Sequence, residues 1–240
     1  AKLVEVLRAH GLLEKLTAIG HRTVHGGDYF SDSVLITQET VDKVTECNAL
    51  APLHNPANLL GIAVCAEQLP NLPQVAVFDT AFHQTMPDYA YLYATPRSWE
   101  RDHHVRRYGF HGTSHRYITQ KTAELLGKPQ SDLNIISAHL GNGSSVAAVV
   151  GGKSVDTSMG FTPLPGLIMG TRTGDIDPAI ITYMMERLNV SAEAVLDLMN
   201  KKSGLLGISE LTNDCRELTE AANKGNSAAQ LALDMFCYRL

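Results

Sequence analysis

Two short apolar runs and a third, mixed polar-apolar segment, separated by glycine turns and all inside NIISAHLGNGSSVAAVVGGKSVDT from Asn134 to Thr157, limit the fold more than any other part of the chain. The first run, Ile135 to Leu140, has the length and β-branched content of a buried strand. Val146 to Val150 supplies a second, and Lys153 to Thr157 a third after the Gly151-Gly152 turn. The pattern predicts an antiparallel meander. Its first turn, Gly141-Asn142-Gly143, is built from residues that tolerate positive φ and leave backbone N–H groups open, a chemistry that suits a phosphate. Asn-Gly alone would be satisfied by a plain hairpin.

The surroundings of that turn favour a site. His139 ends the strand that enters it, and the hydroxyls of Ser144 and Ser145 follow. A second glycine-rich segment, Gly170-Thr171-Arg172-Thr173-Gly174-Asp175, carries both a cation and an acid, which a mere connection does not need. Neither G-x-x-x-x-G-K-[ST] nor G-x-G-x-x-G between a strand and a helix occurs, so a phosphate site here is of another type.

With 240 residues, 44% hydrophobic and 19% charged, the chain suffices for one large or two smaller domains. A net charge of -5 gives no support for nucleic acid as a partner. Cys47, Cys65, Cys215 and Cys237 are scattered without a C-x-x-C pair, as expected of free thiols in a reducing compartment. No apolar run approaches the roughly 20 residues of a membrane span and no signal peptide is visible, so a cytoplasmic protein without a membrane partner is expected. Both ends lie inside helical patterns, which points to a piece of something longer.

Further candidates appear along the chain. Gly20 to Asp28, GHRTVHGGD, sets Arg22 and two histidines among glycines, equally compatible with a site or a basic surface loop. Asn55 as N-cap and Pro56 in the first turn predict a helix up to Pro70, with His54 just before it facing a cleft. Val75 to Phe78 is a compact strand delivering Asp79 at its carboxyl end, where α/β sheets bind ligands; capping the next element is the plainer role. His111 lies between glycines immediately ahead of a helix over Tyr117 to Leu126. The His111 and His115 pair lacks the acid of a zincin motif. Asp177 and Ser191 cap two further helices with ordinary core faces, and residues 203–207 and 213–216 read as a polar loop.

Together GHRTVHGG, APLHNPANLLGI, VAVFDTAFHQTMP, RRYGFHGTSHRY, HLGNGSS, VDTSMGFTPLPGLIMGTRTGDIDP and SGLLGISELTNDCREL resemble the acetate kinases of the short-chain acid kinase family, in family order through nearly the whole chain. The resemblance implies an α/β fold of the sugar kinase, Hsc70 and actin type, with two ribonuclease H-like domains of mixed sheets and flanking helices. Residues 1–80 would be the remainder of the first, substrate-binding domain and residues 81–240 most of the second, nucleotide-binding one. The implied reaction is reversible phosphoryl transfer from ATP to acetate, with Mg²⁺, giving acetyl phosphate and ADP. Propionate is the nearest alternative substrate, and a homodimer is implied.

Carried over by residue, the resemblance implies that Arg22 and Arg172 contact the carboxylate and the transferring phosphoryl group. His111 would stabilise the transition state, and Asp79 would act near the metal, through water. Val24, Leu53, Phe110 and Pro163 would line the alkyl pocket, with His54 beside it. His139, Leu140, Gly141, Asn142 and Gly143 would hold the nucleotide phosphates together with Gly170, and Asp214, Cys215 and Arg216 would lie against the nucleoside. The family's serine-rich phosphate loop, its G-G-I-G-E-N segment and a metal-binding glutamate have no match in these 240 residues, so no complete metal site is expected here. Two readings from other classes stand beside this one: a nucleotide-binding piece without turnover, and a zinc hydrolase built on the ten histidines.

Overall fold

The structure, a computed structural model, describes residues 2–52 and 54–240. Two three-stranded sheets organise the chain. After helix α1 (Lys2–Ala9), the first sheet joins β1 (Ile19–Thr23), β2 (Val34–Leu35) and β3 (Gln74–Phe78) in the order β1-β3-β2. β1 and β3 run parallel with Arg22 opposite Val77 and Thr23 opposite Phe78, whereas β2 is antiparallel to β3. The parallel pairing requires a crossover, supplied by α2 (Gln38–Glu46) and α3 (Asn55–Gln68). Phe30, Val44, Ala76, Phe78 and Ala81 form the core beneath it. Its consequence for function is that β1 and β3 end at the same edge.

The expected N-cap of α3 is corrected. Asn55 is the first helical residue, fully buried, and its carboxamide is spent elsewhere: Oδ1 accepts from the His25 N–H at 3.1 Å and Nδ2 donates to the His25 carbonyl at 3.0 Å. It ties down the loop after β1 rather than closing a helix end.

The short helices α4 (Asp88–Tyr91) and α5 (Arg97–His103) lead to α6 (Gly112–Leu126), which starts five residues earlier than expected, directly after His111. The second sheet is the predicted meander of β4 (Asn134–Leu140), β5 (Ser144–Val150) and β6 (Lys153–Thr157), antiparallel throughout. β4 is not the buried strand its composition suggests. Ile136 is 82% exposed, and burial alternates so that Ile135, Ser137 and His139 face α6 while the opposite face is open. Register sets His139 opposite Ser145, on the α6 side.

Five helices follow, α7 (Ala179–Leu188), α8 (Ala192–Lys201), α9 (Gly204–Ser209), α10 (Cys215–Asn223) and α11 (Ser227–Arg239). Asp177 Oδ1 accepts from the Ala179 N–H at 2.9 Å and Ser191 Oγ from the Ala194 N–H at 3.3 Å, the caps predicted. Two expectations fail. Residues 204–209 are helix rather than loop, and α7 buries none of its side chains, Tyr183 standing exposed. Leu205, Leu218, Ala229 and Ala232 with Ile168 make the core of this half. Among the described residues no helix is long and apolar enough to cross a membrane.

Candidate active site

The shared edge of β1 and β3 brings a basic and an acidic side chain together. Asp79 N–H continues the ladder to the Thr23 carbonyl at 3.0 Å, and its carboxylate takes the Arg22 guanidinium in a fork, Nε to Oδ1 at 2.9 Å and Nη2 to Oδ2 at 2.7 Å. The Asp79 side chain is 3% exposed and that of Arg22 65%. A buried carboxylate thus aims a guanidinium whose remaining N–H groups face open space. The same hydrogen bonds raise the Arg22 pKa, fixing its positive charge. Asp79 does not cap the turn after it, where Thr80 is the leading residue and no side chain makes a cap.

A third residue is fastened to this pair through the backbone. The Asp79 carbonyl accepts the Gly112 N–H at 2.8 Å, which sets His111 beside it in the left-handed region at φ 56°. Only glycine fits at position 112, because a Cβ there would collide with the Asp79 carbonyl oxygen. His83, wholly buried, donates Nε2–H to the Phe110 carbonyl at 3.0 Å and holds the other side of His111. The His111 ring stacks on His139, centroids 4.0 Å apart at 25°, and its Nδ1 lies 2.9 Å from Ser145 Oγ. Burial first, then His139, His115, Arg22 and Arg172, hold the His111 pKa down to about 3. It is therefore neutral near pH 7.

Arg172 closes the group. Its Nη1 donates to the Pro163 carbonyl at 3.0 Å and reaches the Gly143 backbone: a Cβ on Gly143 would lie 3.3 Å from His111 Nε2 and 3.4 Å from Arg172 Nη1. Burial lowers the Arg172 pKa, marking a partly dehydrated charge. The turn at Gly141-Asn142-Gly143 departs from expectation, since neither glycine has a positive φ. Close approach is the reason for glycine at 143. The two glycine-rich segments do meet: the Asn142 carbonyl accepts the Gly170 N–H at 2.9 Å, and Asn142 Oδ1 accepts from Asn213 Nδ2 at 2.8 Å. Asp175 stitches its own loop, accepting from the Gly166 N–H at 2.8 Å.

The remaining candidates fall around this centre unevenly. His54 lies close enough to Arg172 and Arg22 that, after burial, their charges lower its pKa. Val24 packs with Phe110, Met159 and Met169 in a small apolar cluster, and Pro163 touches it through Arg172. Leu53 lies outside the described residues. His139 Nδ1 is 2.9 Å from Ser114 Oγ, and Leu140 is exposed at the strand end. Asp214 caps α10 and pairs with Arg216, Cys215 is exposed, and only Asn213 links this segment to the glycine turn. His83 and Asn213 carry no site reading in the sequence, and His115 and Asn55 read there as a metal partner lacking its acid and as a helix cap; the hydroxyl of Ser145 is visible beside the glycine turn, but its place between the two rings is not.

Among the described residues no three His, Cys, Asp or Glu side chains gather, and the histidine rings near the cleft face serine hydroxyls or a carbonyl, which removes the basis for a zinc hydrolase built on them. Mg²⁺ asks for less, one or two carboxylates plus phosphate oxygens and water. Asp79 fits that demand through water, both its oxygens already accepting from Arg22.

Residues 2–240 match the model of the acetokinase family. The acetate kinase of Carboxydothermus hydrogenoformans is 61% identical over 228 residues, and that of Thermoanaerobacterium thermosaccharolyticum 59% over 229, each alignment covering 95% of this chain and 57% of the relative. A propionate kinase structure from Francisella tularensis superposes with a TM-score of 0.96 at 53% identity, covering 99% of this chain and 61% of that one. The Porphyromonas gingivalis acetate kinase structure gives 0.90 at 52% identity, with 94% and 57% covered. The chain thus spans about three fifths of the length of these relatives and carries the corresponding part of their mixed α/β fold. This polypeptide belongs to the acetokinase family.

Proposed function

We propose that the protein of which these residues are part transfers a phosphoryl group reversibly between ATP and acetate, giving acetyl phosphate and ADP. The observation that carries this reading is the approach of His111 and Arg172 to one point at Gly143, with Arg22 near enough to depress the same imidazole. Phosphoryl transfer gathers charge on equatorial oxygens, so positioning and electrostatic stabilisation are what a protein must supply. Arg22 and Arg172 bind the planar oxyanions in forks, and His111 donates to the phosphoryl oxygens.

Acetate, with a pKa comparable to the 4.3 of a glutamate side chain, arrives ionised and needs no base. Asp79 accordingly aims Arg22 and would hold Mg²⁺ through water, the cation supplying neutralisation of phosphate charge. His139 to Gly143 and Gly170 present backbone to the nucleotide phosphates, and Asp214 to Arg216 lie against the nucleoside. Val24, Phe110, Pro163 and His54 surround the methyl group of the acid. Residues 1–80 form part of the substrate domain and residues 81–240 most of the nucleotide domain, a division supported by the two sheets lying on either side of it. The family's implied homodimer and cytoplasmic location complete the proposal.

Acetate-dependent formation of acetyl phosphate from ATP, trapped with hydroxylamine and measured on the full-length protein, is the test; no trapped product at saturating ATP and Mg²⁺ would sink it. Propionate is the second reading, because one superposing structure is described as a propionate kinase. One methylene changes kcat/KM by about 1 to 3 kcal/mol, so the ratio for the two acids decides.

A further inference from the structure

A line of four side chains runs from the cleft into the molecule. Ser145 Oγ lies 2.9 Å from His111 Nδ1 and 2.8 Å from His115 Nε2; His115 Nδ1 lies 2.9 Å from Ser137 Oγ. Ser145, His115 and Ser137 are buried, the first two completely. His111 Nε2 is left over, turned toward Gly143 and Arg172. Resting on the kinase reading, we infer that Ser145, His115 and Ser137 are positioning residues that hold His111 as the neutral, Nε2-protonated tautomer, so that it donates a hydrogen bond to the phosphoryl group without carrying charge.

The direction of every bond follows from one premise. An ionised phosphoryl oxygen only accepts, so the nitrogen facing it, His111 Nε2, carries a proton. The groups facing this imidazole are His139, His115, Arg22 and Arg172, and with burial they keep it from taking a second proton above about pH 3. Nδ1 is then bare and needs a donor, which is the single hydroxyl proton of Ser145. Ser145 has no second proton, so His115 Nε2–H must donate to it. His115 Nδ1 is in turn bare and takes the Ser137 hydroxyl proton. His115 is also held near pKa 3, by burial first and then by His83 and His139, so it does not supply an extra proton. His83 is fixed in the same tautomer by simpler means, since the Phe110 carbonyl can only accept. A tautomer set through a chain of this kind governs catalysis strongly where an imidazole must act through a chosen nitrogen.

The test is long-range ¹H–¹⁵N spectroscopy of the full-length protein, with acetyl phosphate as the ligand and no nucleotide, alongside turnover measurements. His111 and His115 are expected to show protonated Nε2 and bare Nδ1 from pH 5 to 8. A doubly protonated His111 in that range, or one protonated at Nδ1, overturns the inference. Ser145→Ala is expected to lower kcat at least tenfold with KM for acetate within about twofold, and to release the His111 tautomer, while Ser145→Thr, which keeps the hydroxyl, restores both. Unchanged kcat in Ser145→Ala overturns it as well. Should that variant not fold, the spectrum of the unsubstituted protein decides alone. Failure of the kinase reading is separately visible, as absence of acetyl phosphate turnover in the unsubstituted protein whatever its tautomers.

Discussion

Arg22–Asp79 and Arg216–Asp214 are the same interaction drawn twice. In each, Nε and Nη2 of an arginine meet the two oxygens of one aspartate, at 2.9 and 2.7 Å in the first and 3.2 and 2.7 Å in the second. Surroundings separate them. Asp79 is 3% exposed at the end of a core strand, whereas Asp214 is 34% and Arg216 89% exposed at a helix start. Water competes for the second pair and leaves little net energy, while the first sits where removing one partner strands a charge. Contact geometry alone therefore says nothing about importance; the solvent around the acid does.

The sharpest way to break this comparison is to remove each arginine. Arg22→Ala is expected to cost about 3 kcal/mol of stability, because Asp79 is left buried without a counter-charge, and roughly a hundredfold in kcat/KM. Urea unfolding and the acetyl phosphate assay measure the two. Asp79→Asn removes the charge but keeps the shape: we expect at least a tenfold drop in kcat with no new acid limb in the pH profile, and a stability change of about 1 kcal/mol. An acid limb in the unsubstituted protein that Asp79→Asn abolishes would mean that Asp79 moves a proton after all.

Acid sharpens the contrast less drastically. His25 and His83 are buried and held near pKa 4, and His115 near 3, all lowered first by burial. Between those values and about 6.5 the unfolded chain binds more protons than the folded one, so stability falls as pH drops through that window. The limiting slope is about 1.4 kcal/mol per pH unit for each histidine, seen as a falling Tm from pH 7 to 5. Asp214, held down to about 2 chiefly by its hydrogen bond from Arg216, stays ionised in both states between pH 7 and 5 and adds nothing to the slope there. Smallest of all is Arg216→Ala, expected to leave Tm unchanged and to raise the KM for ATP.

The same distinction explains what could be read from the chain. Elements with their own punctuation were legible: the meander between Gly141 and Gly152, the helix behind Asp177 and Pro178, and the strand that delivers Asp79. Arg22, His111 and Arg172 each stand among glycines, but the glycines left Arg22 equally compatible with a basic surface loop, and it is the fold that gathers the three around Gly143. What stayed hidden depends on partners far away in sequence. Asn55 looks like a cap until His25 claims its carboxamide, and β4 looks buried until one face proves to have no cover. Ser145 is visible in sequence beside the glycine turn, but that its hydroxyl joins the rings of His111 and His115 is not.

One residue, Asp79, holds the arginine by its side chain and the loop of His111 by its main-chain oxygen. Imidazole and guanidinium are consequently ganged to a common anchor, like two tools on one handle. A shift of the main chain at Asp79 therefore displaces both groups at once.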